Sequence, residues 1–315
     1  MKPDVLVAYP LMPRQMAKLE ETYTTHRLDR LAGDEREAML AAVGHKCTAM
    51  VINGHVAVDE AFLDKLPALK LASCSSAGYD KMDVAAMTRR GIKLTNTSDA
   101  LLDDVADTAI LLMLAARRRL VVGDRYVRSG DWGRKGMLPL TSSTSGKKAG
   151  IVGLGRIGQA IARRCEAMGM TIGYYGRSRK QGVDYAYFAD LVELARWADV
   201  LLVATPGGAE TEGLISARVL DALGPTGSFV NIARGTVVDE PALIAALREG
   251  RIASAGLDVF YNEPHPDPAF AALDNAVLYP HHASGTEETR DRMAQLALDN
   301  LAAFFAGKPL LTPVN

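Results

Sequence analysis

Arg234, Glu263 and His281 are the side chains whose types could together carry out a proton-coupled reduction. Each stands in a short segment at or just beyond the end of an expected strand. The segments are Asn231-Ile232-Ala233-Arg234-Gly235, Gly256-Leu257-Asp258-Val259-Phe260-Tyr261-Asn262-Glu263-Pro264 and Pro280-His281-His282-Ala283-Ser284-Gly285. Reducing a 2-keto acid needs a hydride, and a proton for the forming alkoxide. A histidine near its natural pKa supplies such a proton, the role open to His281. A carboxylate on the other ring nitrogen, here Glu263, fixes the tautomer and favours imidazolium. An arginine, here Arg234, binds a substrate carboxylate and polarises the keto oxygen. Neighbours on an extended chain point opposite ways, so His282 is expected as a wall residue or exposed. His265, flanked by Pro264 and Pro266, suits a loop. No second ligand cluster is spaced to complete a metal site at His281-His282.

The hydride implies a dinucleotide, and a turn for one precedes these segments. Gly153-Leu154-Gly155-Arg156-Ile157-Gly158 follows an expected strand at 149–152 and opens an expected helix at 157–168. In such a turn the first glycine permits the tight bend and the second admits the pyrophosphate. The third lets helix and strand pack, and the helix N-terminus faces the phosphates. An acid about 20 residues further on would bind the ribose 2′-OH of NAD. The chain instead reads Tyr174-Tyr175-Gly176-Arg177-Ser178-Arg179-Lys180. Guanidinium groups suit a 2′-phosphate, so NADP(H) is expected over NAD(H); the plainer alternative is an exposed basic loop.

The elements that must position these residues alternate between strand and helix, the pattern of a parallel sheet with crossover helices. Strands are expected at 5–8, 49–52, 69–72, 149–152, 171–174, 200–203, 228–231, 252–257 and 277–279, and helices at 60–66, 157–168 and 241–249, the last with Asp239 as N-cap and Pro241 near its start. The apolar stretch 105–116 has Asp103-Asp104 before it and arginines after it, which suits a helix dipole. It is too apolar for a surface helix and is expected to lie buried between domains or subunits. Residues 129–148 read as an irregular connector. A last helix at 287–305 is expected to pack back on the first domain. The fold class is therefore α/β, with two doubly wound, Rossmann-like parallel-sheet domains and a cleft between them: residues 1–98 plus 288–315 for substrate, and 99–287 for the dinucleotide.

Composition limits the alternatives. The chain has 315 residues, 48% of them hydrophobic, and a net charge of −1, so it advertises neither a nucleic acid nor a membrane as partner. The arginine run 117–119 reads as a solvated helix end. Three widely separated cysteines, Cys47, Cys74 and Cys165, do not make a disulfide framework. Neither a signal segment nor a run of the roughly 20 apolar residues that spans a bilayer is present, so a soluble cytoplasmic protein is expected.

Taken together, these segments resemble the signature blocks of the D-2-hydroxyacid dehydrogenase family over nearly the whole chain, including Ala77-Gly78-Tyr79-Asp80-Lys81-Met82-Asp83 and Thr95-Asn96-Thr97. Within the family the chain is most similar to the NADPH-dependent glyoxylate/hydroxypyruvate and hydroxyphenylpyruvate reductases. The resemblance implies that His281 is the acid/base, Glu263 its partner and Arg234 the substrate-orienting cation. It implies that the N–H groups of Ala77 and Gly78 hold the substrate carboxylate, with Ser284 nearby. It puts Asp258 close to the nicotinamide carboxamide, and Val105, Thr205, Pro206, Ile232 and Ala233 along the cofactor. It makes Trp132 a residue that reaches a partner's substrate pocket, and the assembly a homodimer; simple packing is the other role open to Trp132. Asn53 either borders the substrate or forms a turn. The competing readings are an aryl-pyruvate reductase, a family member acting on phosphite, formate or phosphoglycerate, and a dinucleotide-sensing corepressor.

Overall fold

The computed structural model of the chain describes residues 2–315, which form two compact units. The first runs to Leu101 and takes in Ser284–Asn315; the second is Leu102–Ala283.

The first unit holds a parallel sheet of β1 (Asp4–Val7), β2 (Thr24–Arg27), β3 (Ala49–Ile52), β4 (Leu71–Cys74) and β5 (Lys93–Thr95), in the order β2-β1-β3-β4-β5. This is the flavodoxin-like doubly wound order. The strands β3 and β4 are buried throughout, as parallel strands covered on both faces must be. Alternate side chains divide between two cores. Leu6, Met50, Ile52 and Ala72 meet Leu63, Met87 and Ile92 on one face. Val5, Val7, Val51 and Leu71 meet Leu19, Leu298 and Leu301 on the other. The last helix, Glu287–Phe305, thus closes the sheet built by the start of the chain. Asn300 on that helix is fully buried. Its Nδ2 donates to the Leu296 carbonyl and the Thr312 hydroxyl, and its Oδ1 accepts the N–H groups of Leu311 and Thr312 at 3.0 and 3.3 Å.

The second unit holds β6 (Lys148–Val152), β7 (Thr171–Tyr175), β8 (Ala186–Phe188), β9 (Val200–Val203), β10 (Ser228–Asn231), β11 (Ser254–Leu257) and β12 (Ala276–Leu278). All are parallel, in the order β12-β11-β10-β9-β6-β7-β8. Both neighbours of β6 lie later in the chain, on opposite sides, so the winding reverses at its C-terminal end. Ligands bind at such a switch point.

Several expectations need correction. The apolar helix spans Leu102–Arg117, and its buried face packs on β10, β11 and the helix Arg156–Ala167 of its own unit. Covering that sheet accounts for its buried face. Arg117 is buried rather than solvated, because it falls one turn beyond Met113 on the inward face. Its guanidinium donates to the carbonyls of Ser143 and Asp199 and to the Ser228 hydroxyl. Within 129–148, Asp131–Lys135 is a short helix, fastened by Arg134 and Lys135 on Asp131, and Lys148 already belongs to β6. The strand expected at 69–72 lies at Leu71–Cys74, since the Leu69 N–H still closes a turn on Leu66. The strand expected from 252 starts at Ser254, and the helix expected to 66 ends at Asp64. Asp239 caps the helix Glu240–Arg248 through the Ala242 N–H, as expected.

Replacing Asn300 with Ala would leave the backbone N–H groups of Leu311 and Thr312 without their acceptor, each such hydrogen bond being worth roughly 0.5–1.5 kcal/mol. Asn300→Ala should therefore lower the urea midpoint measurably, with the slope unchanged; an unaltered midpoint would show that the tail needs no such anchor.

Candidate active site

The strands β10, β11 and β12 are adjacent, and their C-terminal ends are level, Asn231 pairing with Leu257 and Leu257 with Leu278. Equal strand ends bring the three following loops together, and these loops carry Arg234, Asp258 with Glu263, and His281. His281 Nδ1 lies 2.6 Å from Glu263 Oε2. The other oxygen of Glu263 accepts the Phe260 N–H at 3.0 Å, so the carboxylate is aimed at the ring from a fixed backbone. The His281 backbone is left-handed, with φ 49°, a conformation uncommon outside glycine. Its N–H donates to the carbonyl of Asp258 at 2.7 Å, and the following N–H groups of His282 and Ala283 donate to the Asp258 carboxylate at 2.7 and 3.1 Å. His282 is exposed and packs edge-on against Tyr279.

Arg234 is set by a buried residue to which the spacing assigned no role. Asn231, 1% exposed, accepts the Ala233 N–H and donates to the Arg234 carbonyl. An asparagine at a strand end, bonding two residues on, is the available signal for such a turn. Gly235 lets this loop approach its neighbour: a Cβ there would lie 1.9 Å from the Phe260 carbonyl carbon.

The electrostatics follow from this packing. Burial pushes the Glu263 carboxyl up. Hydrogen bonds from His281 and the Phe260 N–H, with the charges of His281 and Arg234, outweigh burial and hold it below the usual carboxylate range. Burial raises the Asp258 carboxyl, against the opposing pull of the two N–H groups it accepts. Burial pushes the thiols of Cys47 and Cys165 up to about 12, so neither is a nucleophile at neutral pH. Among the described residues, no group of three or more His, Cys, Asp or Glu side chains could hold a metal ion, and no helix is long and apolar enough to cross a membrane.

The glycine turn fits a dinucleotide. Gly153 has φ 94°, and a Cβ on it would press on the Thr205 backbone at 2.8 Å. A Cβ on Gly158 would strike the Gly153 carbonyl, whereas one on Gly155 would project into open space. The helix Arg156–Ala167 begins there with no side chain capping it, so its first N–H groups face that space, as a pyrophosphate requires. Ile157 is half-buried; Leu154, Val105, Ile232 and Ala233 are buried, and Pro206 is exposed. Beyond β7, the Gly176 carbonyl accepts the Tyr187 hydroxyl, and Arg177, Ser178 and Arg179 are exposed. The fold also brings Glu210, from a distant segment, to 4.0 Å from Arg177. Both side chains are solvent-exposed, and such a pair is weak.

The remaining expected residues lie in both units. In the second, Trp132 is 56% exposed on the helix Asp131–Lys135. In the first, Asn53 forms a turn, its Oδ1 accepting the His55 N–H at 3.0 Å. Ala77 and Gly78 follow β4, and among the described residues neither N–H has a protein acceptor. Ser284 is half-buried at the start of the returning segment.

A family model described as the D-isomer specific 2-hydroxyacid dehydrogenase, NAD binding domain, matches residues 110–283. The chain is 49% identical over 275 residues to a hydroxyphenylpyruvate reductase of Plectranthus scutellarioides, covering 87% of this chain and 88% of that one. It is 45% identical over 310 residues to a glyoxylate/hydroxypyruvate reductase A of Arabidopsis thaliana, covering 98% of each. An NADPH-dependent glyoxylate/hydroxypyruvate reductase of Sinorhizobium meliloti, solved with NADP and malonate, superimposes with a TM-score of 0.90 at 40% identity, over 100% of this chain and 97% of that one.

The lowered Glu263 carboxyl has a consequence for stability. A carboxyl held below its unfolded value, about 4.3, stabilises the fold above that pH and loses the contribution as pH falls through the folded value. The unfolding free energy of the wild type should therefore drop more steeply than that of Glu263→Gln between about pH 5 and pH 3. Coincident slopes in urea unfolding would refute the assignment.

Proposed function

The chain belongs to the D-isomer specific 2-hydroxyacid dehydrogenase family, and on that premise we propose that it is an NADPH-dependent reductase of small 2-keto acids, of the glyoxylate/hydroxypyruvate type, that yields the D-2-hydroxy acid. The observation that carries the reading is the 2.6 Å contact of His281 with Glu263, in the loops that also carry Arg234.

When bound, the reduced nicotinamide supplies a hydride. Every other part falls to the protein. Glu263 holds His281 through Nδ1, so the proton that moves to the forming alkoxide is carried on Nε2. Each turnover consumes that proton, and solvent restores it. Ionised Glu263 stabilises the imidazolium that donates it. Arg234 balances the carboxylate of the substrate and polarises the keto oxygen, a charge-assisted contact that strengthens as the oxygen becomes negative. The N–H groups of Ala77 and Gly78 hold the carboxylate, with Asn53 and Ser284 beside the substrate. The Gly153–Gly158 turn holds the pyrophosphate, and Val105, Thr205, Pro206, Ile232 and Ala233 line the cofactor. Asp258 serves the site through the loop it holds. Its oxygens already accept two backbone N–H groups, which limits what remains for the carboxamide.

The choice of NADP(H) rests on Arg177, Ser178 and Arg179 at the end of β7, where a 2′-phosphate would neutralise two exposed guanidinium groups. The S. meliloti reductase solved with NADP supports it. A homodimer is proposed from the exposed apolar side chains of Leu120, Val121, Val127, Trp132, Met137 and Leu140, which cluster in one stretch of sequence and would be costly to leave in water. Three buried free cysteines fit a reducing, cytoplasmic setting. A second reading, an aryl-pyruvate reductase, is favoured by the 49% identity to the hydroxyphenylpyruvate enzyme.

A panel of glyoxylate, hydroxypyruvate, pyruvate and hydroxyphenylpyruvate with NADPH separates the two readings, through the substrate with the highest kcat/KM. His281→Gln should lower kcat by about 10²–10⁴, the usual contribution of a positioned acid; undiminished turnover would remove His281 from the mechanism. Replacing Arg177 and Arg179 with Ala should raise KM for NADPH at least about tenfold, the worth of one charged hydrogen bond, and leave KM for NADH nearly unchanged. Equal losses with both cofactors would argue against 2′-phosphate recognition.

A further inference from the structure

The turn after β4 can hold a carboxylate only if its N–H groups face outward, and the direction of those groups is set by the segment that follows β5. A trans peptide is planar, so each carbonyl and the N–H that follows it point opposite ways. The Ser76 carbonyl accepts the Thr97 N–H at 3.1 Å, which turns the Ala77 N–H away from residues 96–97. The Ala77 carbonyl accepts Asn96 Nδ2 at 3.1 Å, which turns the Gly78 N–H the same way. The Gly78 carbonyl accepts the Ser76 hydroxyl at 2.8 Å, and that hydroxyl oxygen in turn accepts the Gly54 N–H at 2.7 Å. All three carbonyls are thus tied back, and the N–H groups of Ala77 and Gly78 are left to form an anion-binding concavity.

Asn96 is itself held on several sides. Its Nδ2 also donates to the Ser98 hydroxyl at 2.8 Å. Its backbone is clasped by Thr312, whose carbonyl accepts the Asn96 N–H at 3.2 Å and whose hydroxyl donates to the Asn96 carbonyl at 2.6 Å. Thr312 is anchored in turn by buried Asn300. The last residues of the chain therefore fix a side chain that touches the carboxylate turn.

The geometry points to Asn96 as a positioning residue for recognition of the substrate's carboxylate: its side-chain amide holds the Ala77 carbonyl and so aims the Gly78 N–H at the anion. This rests on the assignment of that carboxylate to Ala77 and Gly78. An amide is required rather than an acid. An aspartate at 96 would face the Ala77 carbonyl with an acceptor, release the peptide, and place a negative charge beside the site of an anion.

Asn96→Asp, nearly isosteric, and Asn96→Ala should each raise KM for glyoxylate and the inhibition constant of oxamate at least about tenfold, the worth of one hydrogen bond to a charged group. The value of kcat at saturation and KM for NADPH should stay near wild type. In the wild-type holoenzyme, oxamate should slow hydrogen exchange at the Ala77 and Gly78 amides, and this second measurement does not depend on either variant folding. Protection at both amides in the wild type, with unchanged KM and oxamate inhibition in both variants, overturns the role of Asn96 and leaves the carboxylate site standing. Lack of protection in the wild type overturns the carboxylate site and this role with it. Losses of kcat and NADPH affinity that match the rise in KM mark general damage and also overturn the positioning role.

Discussion

The carboxylate of Asp258 lies buried one residue past β11 and accepts the N–H groups of His282 and Ala283, while its carbonyl accepts the N–H of His281. Three consecutive amides of one loop thus converge on a single residue of the next. A buried charge without partners would be expensive; here the partners are the backbone that presents the histidine. The left-handed conformation of His281 costs free energy, and these bonds hold it. The ring can then meet Glu263, itself aimed by the Phe260 N–H. The proposed acid–base pair therefore depends on a carboxylate that need not touch the reacting atoms.

The same economy recurs at the places proposed to meet negative charge. At the glycine turn, the helix Arg156–Ala167 begins with no side chain capping it, beside a Gly155 whose Cβ would meet open space. After β4, N–H groups face outward because their carbonyls are tied back. At the end of β10, Asn231 shapes the loop that carries the Arg234 guanidinium. Fixed dipoles of this kind need no reorganisation when an anion arrives. Side chains do much of the work indirectly, by holding peptides.

Much of this was legible in the sequence, for reasons that differ from residue to residue. Short apolar runs revealed β3 and β9 at their true bounds, because parallel strands covered on both faces need no alternation. The Gly153–Gly158 spacing was readable because Gly153 and Gly158 each answer a local steric demand. Arg234, Glu263 and His281 could be named together because each follows a strand and their chemistries are complementary. Other features were not local. Arg117 looked like part of a solvated basic run, and only the helical phase of Leu102–Arg117 turned it inward. Glu210 is 33 residues from Arg177 in sequence, and no window of sequence announces their approach.

What the sequence by itself determined is the alternation of elements, the glycine turn and the types of the side chains proposed to react. These depend on short-range sterics and on side-chain chemistry. Only the tertiary structure decided which polar side chains hold which peptides: Asp258 on residues 282 and 283, Asn96 on Ala77, and Asn300 on the tail that steadies Asn96. The physical reason is that a hydrogen bond to a peptide depends on the register of strands and the return of the last helix, which bring together residues distant in sequence. An asparagine at a strand end carries no mark of the carbonyl it will meet.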